Sequence, residues 1–285
     1  MLNLLNLITT GLLLGGLYGL LALPLTLVWR TTGMFDFAAG AYVVVAGIVA
    51  ADVGGLAGVV AGIAVAVMMS LVTAGLFLLF RTTQPDADAL VIGLATFGLA
   101  IAATAGAQVW LGIAPRFMRI IDGTWDVGGV VLVKGRVLAF VVALGLVILV
   151  VLVLSRTSLG LRMRAAAGSA EHAELLGVPV LKIGCGAFVV SGILYGVVGV
   201  LTVSTVGLVY SSTIAFSTLA LSAAVLLGLR GPGTAFVGGL VLGMTEVMSR
   251  GYVSDTLAGI LPSVLIILVL VSAISTRGTS MAARP

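Results

Sequence analysis

Charge is what this sequence has least of. Lys, Arg, Asp and Glu make up 8% of its 285 residues, against roughly 25% in soluble domains. A soluble fold of this make-up could not cover its surface with polar groups, so that class is excluded. Cysteine is as scarce: Cys185 stands alone, which rules out an intrachain disulfide framework and reads as an inert core residue. His172 is the only histidine; no second ligand is spaced near it, so no metal site is expected. With one His, one Cys and no clustered deep acids, no catalytic constellation is visible. A net charge of +4 does not point to nucleic acid, because Arg and Lys sit between apolar runs, as orientation signals do. The N-terminal run lacks a basic n-region and an A-x-A cleavage site, and it is too long for a signal-peptide core, so it reads as a retained first span.

What is present is apolar length: 61% of the residues are hydrophobic. A span needs about 20 apolar residues. Runs of that order are Leu4–Val28, Leu56–Phe80, Ala89–Ile113, Val137–Leu154, Ile183–Val209 and Thr256–Ile274. Three shorter ones remain, Phe37–Ala51, Ile214–Leu229 and Ala235–Met248. The expected fold is an all-α polytopic membrane protein of about eight or nine membrane segments, some of them short or discontinuous helices. It forms one domain over residues 1–285, with an external loop at 114–136 and a cytoplasmic loop at 156–182. With that loop inside, Arg30, Arg81, Arg156, Arg162, Arg164, Lys182, Arg230, Arg277 and Arg284 are cytoplasmic, while Arg116, Arg119, Lys134, Arg136 and Arg250 are outside. This bias puts the N-terminus outside and the C-terminus inside.

"LYGLLAL" (Leu17–Leu23) is similar to "LYGVVGV" (Leu194–Val200), and each lies in a long run followed by a short one. The two runs point in opposite directions, as in an inverted-topology repeat, where paired short helices mark a transport pathway. Their entrances, "TGMFDFAAGAY" and "YSSTIAFSTLA", supply scarce polar atoms at membrane depth. Candidate pathway residues are therefore Asp36, Phe37, Tyr42, Ser212, Thr213 and Ser217, joined by Thr96 and Phe97 of "GLATFGLA". Asp36 reads first as a water-facing helix N-cap, and otherwise as a lining residue near the cytoplasmic mouth. The Thr96 hydroxyl either bonds its own helix or faces the pore. Asp86 and Asp88 read as caps of the next helix, and Glu246 with Arg250 as an i,i+4 pair. Glycines at small-xxx-small spacing, such as Gly11/Gly15/Gly19 and Gly239/Gly243, permit close helix approach within one bundle, or between subunits at one or two stripes. Trp125 in the external loop, beside a short hairpin at Val130–Val133, is either an interface anchor or a membrane-interface aromatic.

The long polar interruption, "RTSLGLRMRAAAGSAEHAELLGVPVLK" (Arg156–Lys182), splits at Gly168 into a basic helix and a second, shorter one. Ser169 is its expected N-cap, Glu171 favours the first turn, Gly177 is the expected C′ residue and Pro179 a stop. Ala170, Ala173, Leu176 and Gly177 fall on one small face, flanked by Glu171 and Glu174. A helix this short is not stable alone. It packs either on the protein's own helix ends or, as a knob, into a groove on a cytosolic partner.

"RTSLGLRMRAAAGSAEHAELLGV" resembles the cytoplasmic coupling loop of the permeases of branched-chain amino acid ABC importers: Thr157, Gly160, Arg164, Ala165, Leu176, Gly177 and Val178 fit its pattern, with Glu171 and Ala173 as looser counterparts. "GGLYGLLALPLTLVWRTTGMFDFAAGAY" resembles that family's first span and turn, with Asp36 where Asn is usual and Ala39 where His is usual; "LLGLRGPGTAFVGGLVLGMTE" resembles its Gly-rich stretch near the C-terminus. The likeness is to the LivH-type subunit. It implies a permease in the bacterial inner membrane, working with a second related permease, two cytosolic ATPase subunits and an extracytoplasmic solute-binding protein. Arg164, Glu171, Ala173, Glu174, Leu176 and Gly177 would be the coupling residues, with no cofactor on this chain and ATP bound by the partners. "GLRGPGT" (Gly228–Thr234) mimics P-loop spacing but lacks the phosphate-reaching Lys, and reads as a Gly-Pro turn. A self-sufficient secondary transporter or channel is the alternative, disfavoured by the near-absence of deep ionisable groups.

Overall fold

The computed structural model describes residues 2–83, 89–121, 123–127, 130–252, 259–261, 263–265 and 267–268. Asp86, Asp88, Arg277, Arg284 and most of the run Thr256–Ile274 lie outside the described residues. In chain order the elements are α1 (Leu2–Thr32), α2 (Ala39–Val53), α3 (Gly55–Thr83), α4 (Ala89–Leu111), β1 (Thr124–Val127), β2 (Val130–Val133), α5 (Lys134–Arg156), α6 (Ser158–Gly168), α7 (Ala170–Leu175), α8 (Val180–Thr205), α9 (Ser212–Leu226) and α10 (Pro232–Tyr252). Among the described residues, five helices (α1, α3, α4, α5 and α8) are long and apolar enough to cross a membrane. Two shorter apolar helices, α2 and α9, have 15 residues each, about 22 Å at 1.5 Å per residue.

α1 and α8 are largely buried, whereas α3, α4 and α5 turn most of their surface outward. That outward surface is aliphatic, as at Val60, Leu94, Ile101, Val141, Ile148 and Leu152. Such a band suits lipid, since water would make it a large aggregation-prone patch. The core joins α1 to α2, α8, α9 and α10 through Leu20, Leu21, Tyr42, Tyr195, Ala223 and Leu242.

One end of the bundle is marked by arginines. Arg30 Nη1 donates to the Arg230 carbonyl at 2.5 Å, and Arg81 Nη2 donates to the Thr32 carbonyl at 3.4 Å. The other end carries the β1–β2 hairpin, antiparallel with Trp125 opposite Leu132. The Val131 N–H of the hairpin donates to Asn6 of α1 at 3.1 Å, and Lys134 lies over the Trp125 ring at 5.6 Å. Here Arg116 pairs with Asp52 at the end of α2 at 2.9 Å and exchanges backbone hydrogen bonds with Leu208, tying three connections together. α1 runs from the hairpin end to the arginine end, and α8 runs back.

The segment expected at Ala235–Met248 is a longer helix, α10, of 21 residues. Pro232 starts it, because a first-turn position needs no N–H donor. Beyond Met248 it continues through Arg250, which pairs with the buried Glu246 at 2.6 Å. α1 packs most extensively on α10, and the reason is glycine. A Cβ at Gly15 would lie 2.7 Å from the Leu240 Cα. A Cβ at Gly239 would fall on the Gly19 backbone, and one at Gly243 on the Gly15 backbone. Gly192 and Gly196 of α8 meet α3 in the same way, and Gly58 and Gly62 of α3 meet α2. These stripes pack inside the chain.

Gly239→Ala is therefore expected to lower the unfolding temperature in detergent and the folded yield, at about 1–3 kcal/mol for overpacking. Gly75→Ala, whose Cβ would meet nothing within 4 Å, should leave both unchanged. Equal behaviour of the two variants in thermal unfolding would contradict this packing account.

Candidate functional site

α1 ends where Gly33 takes a left-handed φ of +72° and returns its N–H to the Trp29 carbonyl at 2.8 Å, a C′ arrangement that disfavours a side chain. The six residues from Gly33 to Ala38 then turn into the bundle. Asp36 is only 1% exposed. Its Oδ1 accepts from the Ala38 N–H at 3.0 Å and from the Tyr42 hydroxyl at 3.4 Å. The Tyr42 hydroxyl is also 2.5 Å from Thr73 Oγ1 of α3, and its ring packs on Tyr195 of α8 at a centroid distance of 5.3 Å. Asp36 Oδ2 and the Tyr195 hydroxyl have no hydrogen-bond partner among the described residues.

The expectation of a water-facing N-cap at Asp36 is thus corrected. Ala38 occupies the N-cap position of α2, with no side-chain cap, and Asp36 closes a local turn inside the protein. The corner is pulled inward from two sides. The Thr96 hydroxyl accepts from the Phe37 N–H at 3.0 Å while donating to the Gly93 carbonyl at 2.7 Å. Ser217 accepts from the Gly40 N–H at 2.9 Å and donates to the Phe37 carbonyl at 3.0 Å. Thr96 therefore bonds its own helix and also anchors the corner.

Beside this corner, between α4 and α9, lies a cavity of about 390 Å³. Of the sequence candidates, Phe37, Phe97, Thr213 and Ser217 line it. Asp36, Tyr42, Thr96 and Ser212 do not: the first three are buried behind the lining. Sequence reasoning missed Ala100, Ile101, Thr104 and Gln108 of α4, and Tyr210 before α9. A signal existed: positions 97, 100, 101, 104 and 108 share one helical face, and it carries the polar Thr104 and Gln108 of that apolar run. Thr73 and Tyr195, which complete the polar cluster around Asp36, had no such marker.

At the arginine end, Thr157 caps α6 by accepting from the Gly160 N–H at 3.1 Å. Ser169 caps α7, accepting from the His172 N–H at 3.3 Å, and its hydroxyl lies 2.7 Å from His172 Nδ1. Gly177 has φ +77°, as a C′ residue should. The single small face expected for this helix is split. Ala173 is 2% exposed and turned to the protein, while Leu175 and Leu176 are each 81% exposed. Leu176 lies past the last residue of α7, where the chain is already turning into Gly177, so helical spacing no longer governs its direction. Arg164, Glu174 and Gly177 are exposed. The side chains of Ala170 and Glu171 lie outside the described residues.

Thr96→Val removes the acceptor of a part-buried backbone N–H. It is expected to cost about 1–3 kcal/mol, read as a lower unfolding temperature in detergent, with Thr96→Ser close to the parent. A neutral Thr96→Val would contradict the anchoring role.

The family described as branched-chain amino acid transport system / permease component matches residues 7–270. A search of curated proteins returns no match to the chain. The family match and the five apolar helices make this a multi-pass membrane protein and the membrane component of a transporter. The match spans most of the sequence, and the chain belongs to the branched-chain amino acid transport permease family.

Proposed function

We propose that this chain is a permease subunit of an ATP-binding-cassette importer in a bacterial inner membrane, moving a branched-chain amino acid or a related small polar solute inward. The arginine end faces the cytoplasm, the N-terminus lies outside and the C-terminus inside, with about nine membrane segments counting α2, α9, α10 and the segment after α10. α1–α2 and α8–α9, each a long helix followed by one of 15 residues, form the cores of an inverted repeat.

The observation that carries the reading is the tip of the α7 turn. Leu175 and Leu176 project from the arginine end, each 81% exposed, on a short segment capped at both ends by Ser169 and Gly177. Two bare leucines on a polar loop suit an apolar groove on a cytosolic ATPase, with Arg164, Glu174 and Glu171 setting the register. Ala173 serves by packing the knob onto the bundle. ATP is bound by two such ATPase subunits, because "GLRGPGT" supplies no phosphate-binding Lys. A second, related permease covers the open side of the α4–α9 cavity, and an extracytoplasmic solute-binding protein delivers the solute at the hairpin end. The cavity lining, mostly apolar with the hydroxyls of Thr104, Thr213 and Ser217, suits an aliphatic side chain with a polar head. Asp36, Tyr42 and Thr96 shape the pathway by holding the corner rather than by lining it.

Reconstitution of the purified chain with candidate ATPases, second permease and binding protein tests this. Leu175→Glu with Leu176→Glu is expected to reduce ATPase co-purification and ATP-driven uptake at least about tenfold, the scale of losing a well-buried apolar anchor, while the chain still inserts. Uptake by the lone chain driven by an ion gradient would favour a secondary transporter instead.

A further inference from the structure

The arginine end encloses a second and larger cavity, of about 870 Å³. Three guanidinium-bearing residues from three elements line it: Arg30 at the end of α1, Arg81 at the end of α3, and Arg230 in the turn before α10. Ser169 and Glu174 of the α7 segment close one side, and Trp29 contributes an apolar wall. Glu174 is the only acid among the lining residues described. The charge balance of the lining is thus two cations in excess.

Residues that served only as orientation signals would be spread around the rim. Here all three border one space, and two of them are held there by hydrogen bonds. Arg30 is held by the Arg230 carbonyl and lies against Gly231, where a Cβ would meet Nη1 at 3.3 Å. Arg81 is held by the Thr32 carbonyl and by the face of Phe77, at 5.9 Å from the ring centroid. Among the described residues, each of these two guanidiniums donates to one carbonyl. The Arg230 guanidinium has no hydrogen-bond or ion-pair partner among the described residues. Like charges gathered in a concave site with an apolar wall focus a positive potential. The ligand that best answers several planar N–H forks is one with several anionic oxygens, to which Arg binds bidentately.

We propose that this cavity binds a phosphate group, carried either by an anionic phospholipid headgroup or by a free phosphate compound. Its size is that of a ligand site able to admit a whole headgroup or a small phosphate compound. Occupancy would neutralise the excess charge and link α1, α3 and the α9–α10 turn to the α7 segment through one anion. The proposal is independent of the importer reading, since it needs only the arginine end of the bundle.

The test uses the full purified chain. In neutral detergent, thermal unfolding is followed against inorganic phosphate, with chloride at equal ionic strength as the reference. In parallel, nanodiscs of phosphatidylcholine alone are compared with nanodiscs containing phosphatidylglycerol. A saturable rise in unfolding temperature with phosphate assigns the site to a free anion; a rise only with phosphatidylglycerol assigns it to the lipid. Either result should weaken about tenfold in Arg230→Gln, the scale of one charge-assisted hydrogen-bonding partner, with no change in the unliganded protein. Glu174→Gln, which removes the opposing charge, should tighten whichever ligand acts. The proposal is overturned if neither probe exceeds the chloride reference, or if Arg230→Gln responds as the parent does.

Discussion

The backbone-to-backbone approach of α1 and α10 is the constraint on which the remaining architecture depends. In a membrane there is little hydrophobic drive between helices, so association rests on close packing and hydrogen bonds. Gly15, Gly19, Gly239 and Gly243 provide that packing, since a Cβ at any of them would strike the facing helix. With α1 held along its length, its C-terminus is fixed, and the Gly33 turn sends residues 33–38 into the bundle at a defined point. The polar anchors follow: Thr96 from α4 and Ser217 from α9 each seize the backbone at Phe37. The cavity between α4 and α9 is the space left beside that corner.

Much of this was legible in the sequence, and the parts that were not fail for identifiable reasons. Long apolar runs and glycine spacing announced α1, α3, α4, α5 and α8, because length and small-residue periodicity are local properties. Ser169 and Gly177 announced both ends of α7, since capping is also local. The water-facing reading of Asp36 fails although its sequence neighbourhood is that of a cap, because Thr96 and Ser217 tie the adjacent backbone inward. Ala173 and Leu176 were placed together by helical spacing, and the helix stops one residue too early for that spacing to hold. Tyr195 and Thr73 could not be linked to Asp36, because three separate elements bring them together. The α4 stripe at Thr104 and Gln108 was readable and was passed over among so many apolar residues.

The structure separates two tasks. The corner beside the cavity is tied into α4 and α9 by hydrogen bonds. The α6–α7 loop packs on the arginine end through Ala166 and Ala173, is capped at Thr157 and Ser169, and presents bare leucines. A transporter that made its own driving force would need ionisable groups placed along the spans; among the described residues, Asp36 and Glu246 are the only buried charged groups. Force is therefore expected to arrive from outside the chain, through the loop. That account requires the loop to be cytoplasmic and to be touched by the motor. The most direct measurement places one thiol at the tip, Leu176→Cys in a Cys185→Ala background, in sealed membrane vesicles of known orientation. The account predicts labelling by a membrane-impermeant reagent only from the cytoplasmic face, with protection when the ATPase subunits are bound. Labelling from the external face, or labelling that bound ATPase leaves unchanged, would contradict it.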